Sequence, residues 1–241
     1  SWRPFSESTL RIRASYKDIF RVPTFTDLYY LRMGNTNLNP EETSQYNVGV
    51  TWSSSCGDWL RHFSISADGY YNTVKDKIVA LPTMYVWKMM NMGEVDIKGV
   101  DVNLSTQFRL PLRMSLLLAS TYSFQYAVDV TDPEAKNYKD QIPYTPRHSG
   151  TVSVTLENPW VNVSYILTAV GDRYALPQNI DRNRIDSYIE QSISINRDFR
   201  FRYFGLRLQG ELLNLANVNY DVIQYYPMPG RSWRLSICLS Y

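Results

Sequence analysis

The chain has 241 residues, a net charge of +2 and 44% apolar residues. That length allows one large β domain or two small ones, and the apolar content allows a substantial buried surface. So small a net charge argues against a nucleic-acid or other polyanionic partner. The 19 tyrosines and 6 tryptophans suit boundaries between apolar and wet surroundings, because their rings are apolar and their tips are polar.

Apolar and polar residues alternate along most of the chain, which is the pattern of β-strands. The first such segment, "TLRIRASYK", places an apolar face opposite a basic one. The last, "RSWRLSICLSY", aligns Trp233, Leu235, Ile237, Leu239 and Tyr241. We predict about ten strands and no helix. The segments between them are "SQYNVGVTW", "HFSISADGYYN", "EVDIKGVDVNLSTQF", "RMSLLLASTYSFQY", "GTVSVTL", "WVNVSYILTA", "SYIEQSISIN" and "YFGLRLQGEL".

One strand breaks the alternation. In "EVDIKGVDVNLSTQF" the apolar phase slips between Ile97 and Val100. A glycine inside a strand often marks an extra residue in one of two paired strands. The sequence therefore predicts a β-bulge near Gly99.

The connections between strands alternate in length. The short ones are "SSSCGDW", "RLPLR", "ENP" and "RDFRF", and the long ones are residues 18–41, 75–91, 127–146, 171–186 and 215–230. Short turns on one rim and long loops on the other are typical of outer-membrane β-barrels. A soluble sandwich or lipocalin-type barrel alternates too, but turns its apolar face inward. The loop lengths favour an antiparallel up-and-down transmembrane β-barrel.

In such a barrel the apolar faces contact lipid and the polar faces line a wet lumen. The last strand must then pair with a neighbour, because a sheet edge cannot stay open in lipid. Residues predicted to face the lumen are Arg11, Arg13, Lys17, Glu190, Arg207, Gln209, Glu211 and Arg234. Residues predicted to form the two interfacial aromatic girdles are Tyr16, Trp52, Trp59, Tyr71, Tyr126, Trp160, Trp233 and Tyr241.

Residues with catalytic or metal-binding chemistry are scarce. The two histidines, His62 and His148, have no cysteine or second histidine at ligand spacing. A ten-stranded barrel protease is the enzyme alternative, and His148 with Asp140 could imitate one of its acid–histidine pairs. Nothing supplies a second pair, so we predict no enzyme, no cofactor and no metal site. Cys56 and Cys238 are interpreted as incidental thiols, since adjacency in space cannot be read from sequence.

A methionine-rich stretch, "MYVWKMMNMG", has the one unusual local composition. Its methionines are Met84, Met89, Met90 and Met92. Packing against lipid or a neighbouring loop is the simplest interpretation. The alternatives are an adaptable wall of a ligand cleft and, more remotely, a copper site.

Several motifs resemble those of TonB-dependent outer-membrane receptors. They are, in order, "FRVPTFTDLYY", "GNTNLNPEE", "YNVGVTW", "NMGEVDIKGVDV", "IPYTPRHSGTVSV" and the ending "ELLNLANVNYDVIQYYPMPGRSWRLSICLSY". The resemblance covers essentially the whole chain. It implies that residues 1–241 are the C-terminal segment of a 22-stranded barrel with a plugged lumen. The plug domain and the earlier strands would then be absent from this chain.

The resemblance also implies a function and partners. Such receptors take up scarce small-molecule nutrients with energy from the TonB complex, which contacts a region N-terminal to this chain. Outer-membrane lipid surrounds the barrel, and the assembly machinery reads a terminal strand like the one ending at Tyr241. The spacing of the motifs is most similar to cobalamin receptors. Ferric-siderophore receptors are the alternative, whereas heme receptors usually carry a histidine in a loop that here, at residues 20–38, has none; a structural barrel without transport is the other class.

Ligand contacts are expected at the bases of the long loops, on the extracellular rim. Amphipathic rings suit a large, partly apolar ligand with polar edges, although each could equally belong to a girdle. The candidates are Tyr29, Tyr30, Asn35, Tyr85, Trp87, Arg173, Tyr174, Tyr225 and Tyr226.

Overall fold

The computed structural model describes residues 1–3, 9–83 and 85–240. Its strands are β1 Leu10–Arg21, β2 Glu41–Cys56, β3 Leu60–Pro82, β4 Trp87–Leu110, β5 Met114–Asp129, β6 His148–Glu157, β7 Asn162–Val170, β8 Arg173–Tyr174, β9 Arg184–Ile185, β10 Tyr188–Arg200, β11 Gly205–Leu213, β12 Asp221–Ile223, β13 Tyr226–Pro227 and β14 Ser232–Ser240. Ten of them form one antiparallel sheet in the order β1-β2-β3-β4-β5-β6-β7-β10-β11-β14, with β1 and β14 at its edges. The predicted meander of ten strands is confirmed. Four short strands form two small pairs, β8 with β9 and β12 with β13, in the loops.

A short helix corrects the prediction that the chain has none. Helix α1 spans Phe25–Tyr29 in the first long loop. Thr24 caps it, because its hydroxyl accepts from the Asp27 amide while the Asp27 carboxylate accepts from the Thr24 amide. A single 3-10 turn follows at Asp181–Asn183. Within the described ranges, no helix has the length and apolar character needed to cross a membrane.

Polar side chains share one face of the sheet, as predicted. Arg13 pairs with Asp68 at 2.8 Å, and Arg207 pairs with Asp198 at 2.6 Å. Arg234 and Glu211 make a third pair on that face. Each of these pairs links different strands, so charged groups satisfy one another across the face predicted to line the lumen.

An aromatic row crosses five strands on the opposite face. Tyr16 lies opposite Tyr46, Tyr46 opposite Tyr71, Tyr71 opposite Lys98, and Lys98 opposite Tyr126. Two positions toward the long loops, the same face carries Asp18, Ser44, Thr73, Asp96 and Val128; two positions toward the short turns it carries Ala14, Val48, Gly69, Val100 and Phe124. Each strand from β1 to β4 thus passes from apolar to polar at the aromatic row, as expected where lipid meets water.

The β3–β4 hairpin extends beyond its neighbours. Pairing of β2 with β3 ends at Lys75, whereas β3 and β4 stay paired as far as Pro82 and Trp87. At about 3.3 Å per residue, the hairpin projects roughly 20 Å past β2. The prediction of a long loop at residues 75–91 is therefore wrong, because most of these residues form the two strands of a hairpin.

The buried core lies at the long-loop end of the sheet, where the loop after β5 packs against β3, β4 and β5. It contains Val74, Met92, Val95, Ile97, Ala127 and Ile142. Gln141 is buried beside it and is satisfied by the Ala127 amide and by the carbonyls of Gln125 and Thr145. These residues join the base of the hairpin to the loop after β5.

The bulge predicted near Gly99 is absent. Residues Val95–Leu110 of β4 pair with β5 without a register shift. Residues Glu94–Gln107 of β4 likewise pair with β3 without a shift. Val95 and Ile97 are apolar because their face of β4 packs in the buried core. Val100 is apolar because it lies on the opposite face, which contacts lipid. The apolar face changes while the strand stays regular.

Gly99 is required for a different reason, and this gives a testable prediction. A methyl group there would lie 2.4 Å from the Phe124 carbonyl oxygen and 2.5 Å from the Tyr70 hydroxyl oxygen. We expect Gly99→Ala to destabilise the sheet by about 1–3 kcal/mol, because β5 must shift. Gly210→Ala is the matched control, since no described atom lies within 4 Å of its added methyl. The temperature at which the compact band is lost on semi-native gels measures both; equal midpoints would contradict the account.

The last strand turns its apolar residues outward. Trp233, Leu235, Ile237 and Leu239 are all exposed on one face of β14. Tyr241 lies outside the described residues. Cys238 is a free thiol on the other face, and the side chain of Cys56 lies outside the described set.

Candidate ligand-binding cleft

Four loop segments converge at the rim that carries the long loops. The Tyr144 amide donates to the Tyr174 carbonyl at 2.7 Å, which ties the loop after β5 to β8. Gln224 donates to the Arg182 carbonyl at 3.2 Å, which ties the loop after β11 to the loop after β8. The tip of the β3–β4 hairpin reaches the same place, and two adjoining cavities lie between these segments.

The inner cavity is mostly apolar and has a volume of about 440 Å³. The hairpin, the loop after β5 and the loop after β11 each form one wall, and Arg173 contributes the cation. Its lining residues are Val79, Ala80, Leu81, Trp87, Ile142, Pro143, Tyr144, Arg173, Val222 and Ile223. The ring centres of Trp87 and Tyr144 lie 5.6 Å apart, so these two rings pack on each other and form part of the wall.

Arg173 is only 4% exposed and joins several of these elements. Its Nη2 donates to the Asp221 carbonyl at 2.5 Å and to the Val222 carbonyl at 3.1 Å. Its Nη1 has no hydrogen-bond partner among the described residues. Burial lowers the pKa of its guanidinium, and nearby Tyr188, Tyr144 and Asp221 act against that shift. An arginine stays charged under such conditions, so the cleft contains a buried cation with one free donor group.

A stack of rings supports Arg173 from the lumen side. The guanidinium lies 5.6 Å from the centre of the Tyr188 ring, and Tyr188 stacks on Tyr220 at 4.0 Å. Tyr220 donates to Glu190 Oε2 at 2.6 Å. Burial and this hydrogen bond raise the pKa of Tyr220, so Tyr220 remains a neutral donor. The stack fixes the loop after β11 to β10 and thereby holds Arg173 in place.

The outer cavity adjoins the first and has a volume of about 680 Å³. Trp87, Tyr144 and Ile223 line both cavities. Its other lining residues are Pro82, Thr83, Tyr85, Val86, Leu176, Arg182, Gln224, Tyr225 and Tyr226. Its wall is therefore rich in exposed tyrosine, with Arg182 as a second cation. Together, the two cavities suit a ligand with flat apolar parts and polar or anionic edges.

The structure brings together five of the nine predicted site residues: Tyr85, Trp87, Arg173, Tyr225 and Tyr226. Tyr174 supports the cleft through its backbone carbonyl.

Tyr29, Tyr30 and Asn35 lie apart, in the loop that contains α1. Asn35 Nδ2 donates to the Met89 carbonyl at 3.1 Å, which fastens that loop to β4. Tyr29 packs on Phe25 with ring centres 4.9 Å apart. Tyr29 and Tyr30 line neither cavity of the cleft.

Sequence reasoning missed Tyr144, Tyr188 and Tyr220. Tyr144 stands beside Pro143 in "IPYTPRH", where its position after a proline in a long loop was the available signal. Tyr188 lies on the polar face of β10, two positions before Glu190 on the same face. A tyrosine on a face predicted to line a lumen was the signal for the stack.

His148 and Asp140 do not form the acid–histidine pair considered above. His148 Nδ1 lies 2.8 Å from the Tyr122 hydroxyl on the lipid-facing side. Asp140 accepts instead from the Asn179 amide at 3.0 Å, within the loops.

Comparison with known families decides what kind of barrel this is. The family model described as "TonB dependent receptor-like, beta-barrel" matches residues 1–215. The chain belongs to the TonB-dependent receptor family. Members of this family are outer-membrane proteins, so the ten-stranded sheet lies in the bacterial outer membrane with its apolar face in lipid.

Individual relatives of this TonB-dependent receptor chain are transporters and receptors. The vitamin B12 transporter BtuB of Photobacterium profundum is 26% identical over 236 residues, which cover 94% of this chain and 34% of that protein. BtuB of Vibrio vulnificus is 24% identical over 221 residues, covering 89% and 32%. The siderophore receptor PiuA from Acinetobacter baumannii has the same fold, with a TM-score of 0.71 at 16% identity over 99% of this chain and 34% of that one. The chain spans about a third of the length of the curated relatives it matches.

Proposed function

We propose that residues 1–241 form the C-terminal part of the 22-stranded barrel of an outer-membrane receptor for TonB-energised nutrient uptake. The nutrient that fits best is cobalamin. The two vitamin B12 transporters described above support this, since they align with nearly the whole chain. Contact with the TonB complex would come from a region outside this chain. The barrel-assembly machinery would read the terminal strand that ends at Tyr241.

The observation that carries the proposal is the cleft at the long-loop rim. Trp87 and Tyr144 pack together in the wall that both cavities share, and Tyr85, Tyr225 and Tyr226 line the outer one. Cobalamin is a large ligand with a flat ring system and polar edges, which aromatic walls can hold by stacking. Outer-membrane barrels place their long loops outside the cell, so the cleft would receive its ligand from the medium.

An anionic ferric chelate is the second candidate. Arg173 lines the inner cavity and Arg182 the outer one, and a siderophore complex with negative groups could pair with both. Growth of a deletion strain on each nutrient separates the two candidates.

Binding to whole cells tests the proposal. Replacing Trp87 and Tyr226 by alanine in the complete receptor should weaken cobalamin binding by about 10- to 30-fold, because each stacking contact contributes on the order of 1 kcal/mol. Radiolabelled cyanocobalamin and surface immunoblotting measure binding and assembly.

The matched control for this variant is the double replacement of Tyr29 and Tyr30 by alanine. These tyrosines are each 59% exposed, comparable with 66% for Tyr226, but lie in the loop containing α1. The control should bind normally. Unchanged binding in the Trp87/Tyr226 variant would place the ligand elsewhere and refute the cleft.

A further inference from the structure

Two unpaired cations flank one ring of the aromatic row. Lys98 Nζ lies 5.1 Å from the centre of the Tyr126 ring, and Arg147 Cζ lies 5.2 Å from the same centre. Within the described ranges, neither has a carboxylate within 4.0 Å. Both side chains are exposed. Tyr126 therefore has two cations packed on its ring, both with charge available to an outside anion.

This pair lies on the lipid-facing side at the membrane boundary. Lys98 shares its face with Val100, whereas the next residue of that face toward the loops is Asp96. Asp96 already accepts from Thr73, and Asp18, the other carboxylate two positions beyond the aromatic row, accepts from Tyr16 and Ser44. The two carboxylates on the water side thus already accept hydrogen bonds from neighbouring hydroxyl groups and do not pair with Lys98 or Arg147.

We propose that Lys98, Arg147 and Tyr126 bind a phosphate group of a lipid in the outer leaflet. Arginine and lysine both bind phosphate through charge-assisted hydrogen bonds, and cations at the membrane surface recognise anionic headgroups. The apolar positions beside them, Val100 and Phe124, would contact the acyl chains of that lipid. A free phosphate ion would gain nothing from this apolar surface, which is why a lipid is the occupant inferred.

Lipid retention by the complete receptor tests this site. The purified receptor is incubated in detergent with diphosphorylated lipid A, and bound lipid is counted by native mass spectrometry. Replacing Lys98 and Arg147 by glutamine should raise the Kd for the lipid, obtained by titrating it, by about 10- to 30-fold, since each surface cation contributes about a factor of five to headgroup binding. The charge-conserving variant Lys98→Arg should retain the lipid; if the double variant fails to assemble, Lys98→Gln alone is compared with Lys98→Arg.

The chain supplies a matched control at the other rim. Arg197 lies 4.8 Å from the Phe199 ring centre and Arg202 lies 5.4 Å from that of Tyr203. Replacing both by glutamine removes the same charge from two exposed cation–ring pairs near the short turns, and should leave retention unchanged.

Four results would overturn the site. They are equal retention by the Lys98/Arg147 variant, an equal loss in the Arg197/Arg202 control, undiminished binding of the same lipid without its phosphates, and displacement of the lipid by millimolar inorganic phosphate. Displacement would show that free phosphate, not lipid, is the preferred ligand.

Discussion

Replacing Ile193 by lysine is expected to prevent assembly of the barrel in the outer membrane. Ile193 lies in the middle of β10, opposite Tyr165 and Leu212, on the lipid-facing side. A lysine at the bilayer midplane of a β-barrel costs about 2–4 kcal/mol, which is a large share of the stability of an ordinary domain. Surface immunoblotting and heat-modifiable mobility measure the outcome.

The neighbouring position supplies the control for this change. Ser194 lies on the lumen side, opposite Glu211, so a lysine there would find water and a carboxylate. Ser194→Lys should assemble at close to the normal level. If both lysine variants assemble equally, or if only Ser194→Lys fails, the assignment of the two faces is wrong.

Replacing Arg173 by methionine is expected to produce the largest loss of ligand binding, about 10- to 100-fold. Methionine keeps an apolar stem but removes the donors to the Asp221 and Val222 carbonyls. Hydrogen bonds from a charged group contribute about 1.5–3 kcal/mol, here to holding the loop after β11 in place. Because the ligand must bind the anchored loop, that loss lowers affinity, and a factor of ten in affinity corresponds to about 1.4 kcal/mol. The loop after β11 should also become more sensitive to protease, which can be measured without any ligand.

Arg182→Met is the control for Arg173. Arg182 lines the outer cavity, but its side chain is exposed. We expect its replacement to change binding by less than about threefold, as for most exposed positions. Equal losses from the two variants would show that charge in the cleft matters and the anchoring of the loop does not.

Much of the sheet could be predicted from local pattern. Alternation identifies the ten strands, and the lengths of the connections identify the two rims. The errors lie where packing beyond the strand decides which residues are apolar. Val95 and Ile97 pack in the buried core, so the apolar residues change face along β4. In the sequence this change looks like a bulge, although the strand is regular. The hairpin arm was predicted to be a loop from Lys75 onward. In the structure, Asp76 has a φ of 52° and interrupts the pairing between Lys75 and Lys77, but the strand then continues.

The candidate site was predictable in composition but not in assembly. Exposed aromatic residues in long loops pointed to Trp87, Tyr225 and Tyr226, and Arg173 was a further candidate. The convergence of loops far apart in sequence packed Tyr144 against Trp87 and placed the Tyr188–Tyr220 stack beneath Arg173. That convergence also left Tyr29 and Tyr30 outside, although their local sequence is equally aromatic. Long-range contacts of this kind have no local signal.

Uptake of radiolabelled cyanocobalamin tests the central claim most directly. It should be compared in cells carrying the complete gene, cells lacking it, cells complemented with the Trp87/Tyr226 double-alanine variant, and cells lacking TonB. The account predicts that accumulation requires both the gene and TonB and falls in the variant. Undiminished accumulation in cells lacking the gene, with growth on a ferric siderophore lost instead, would contradict it.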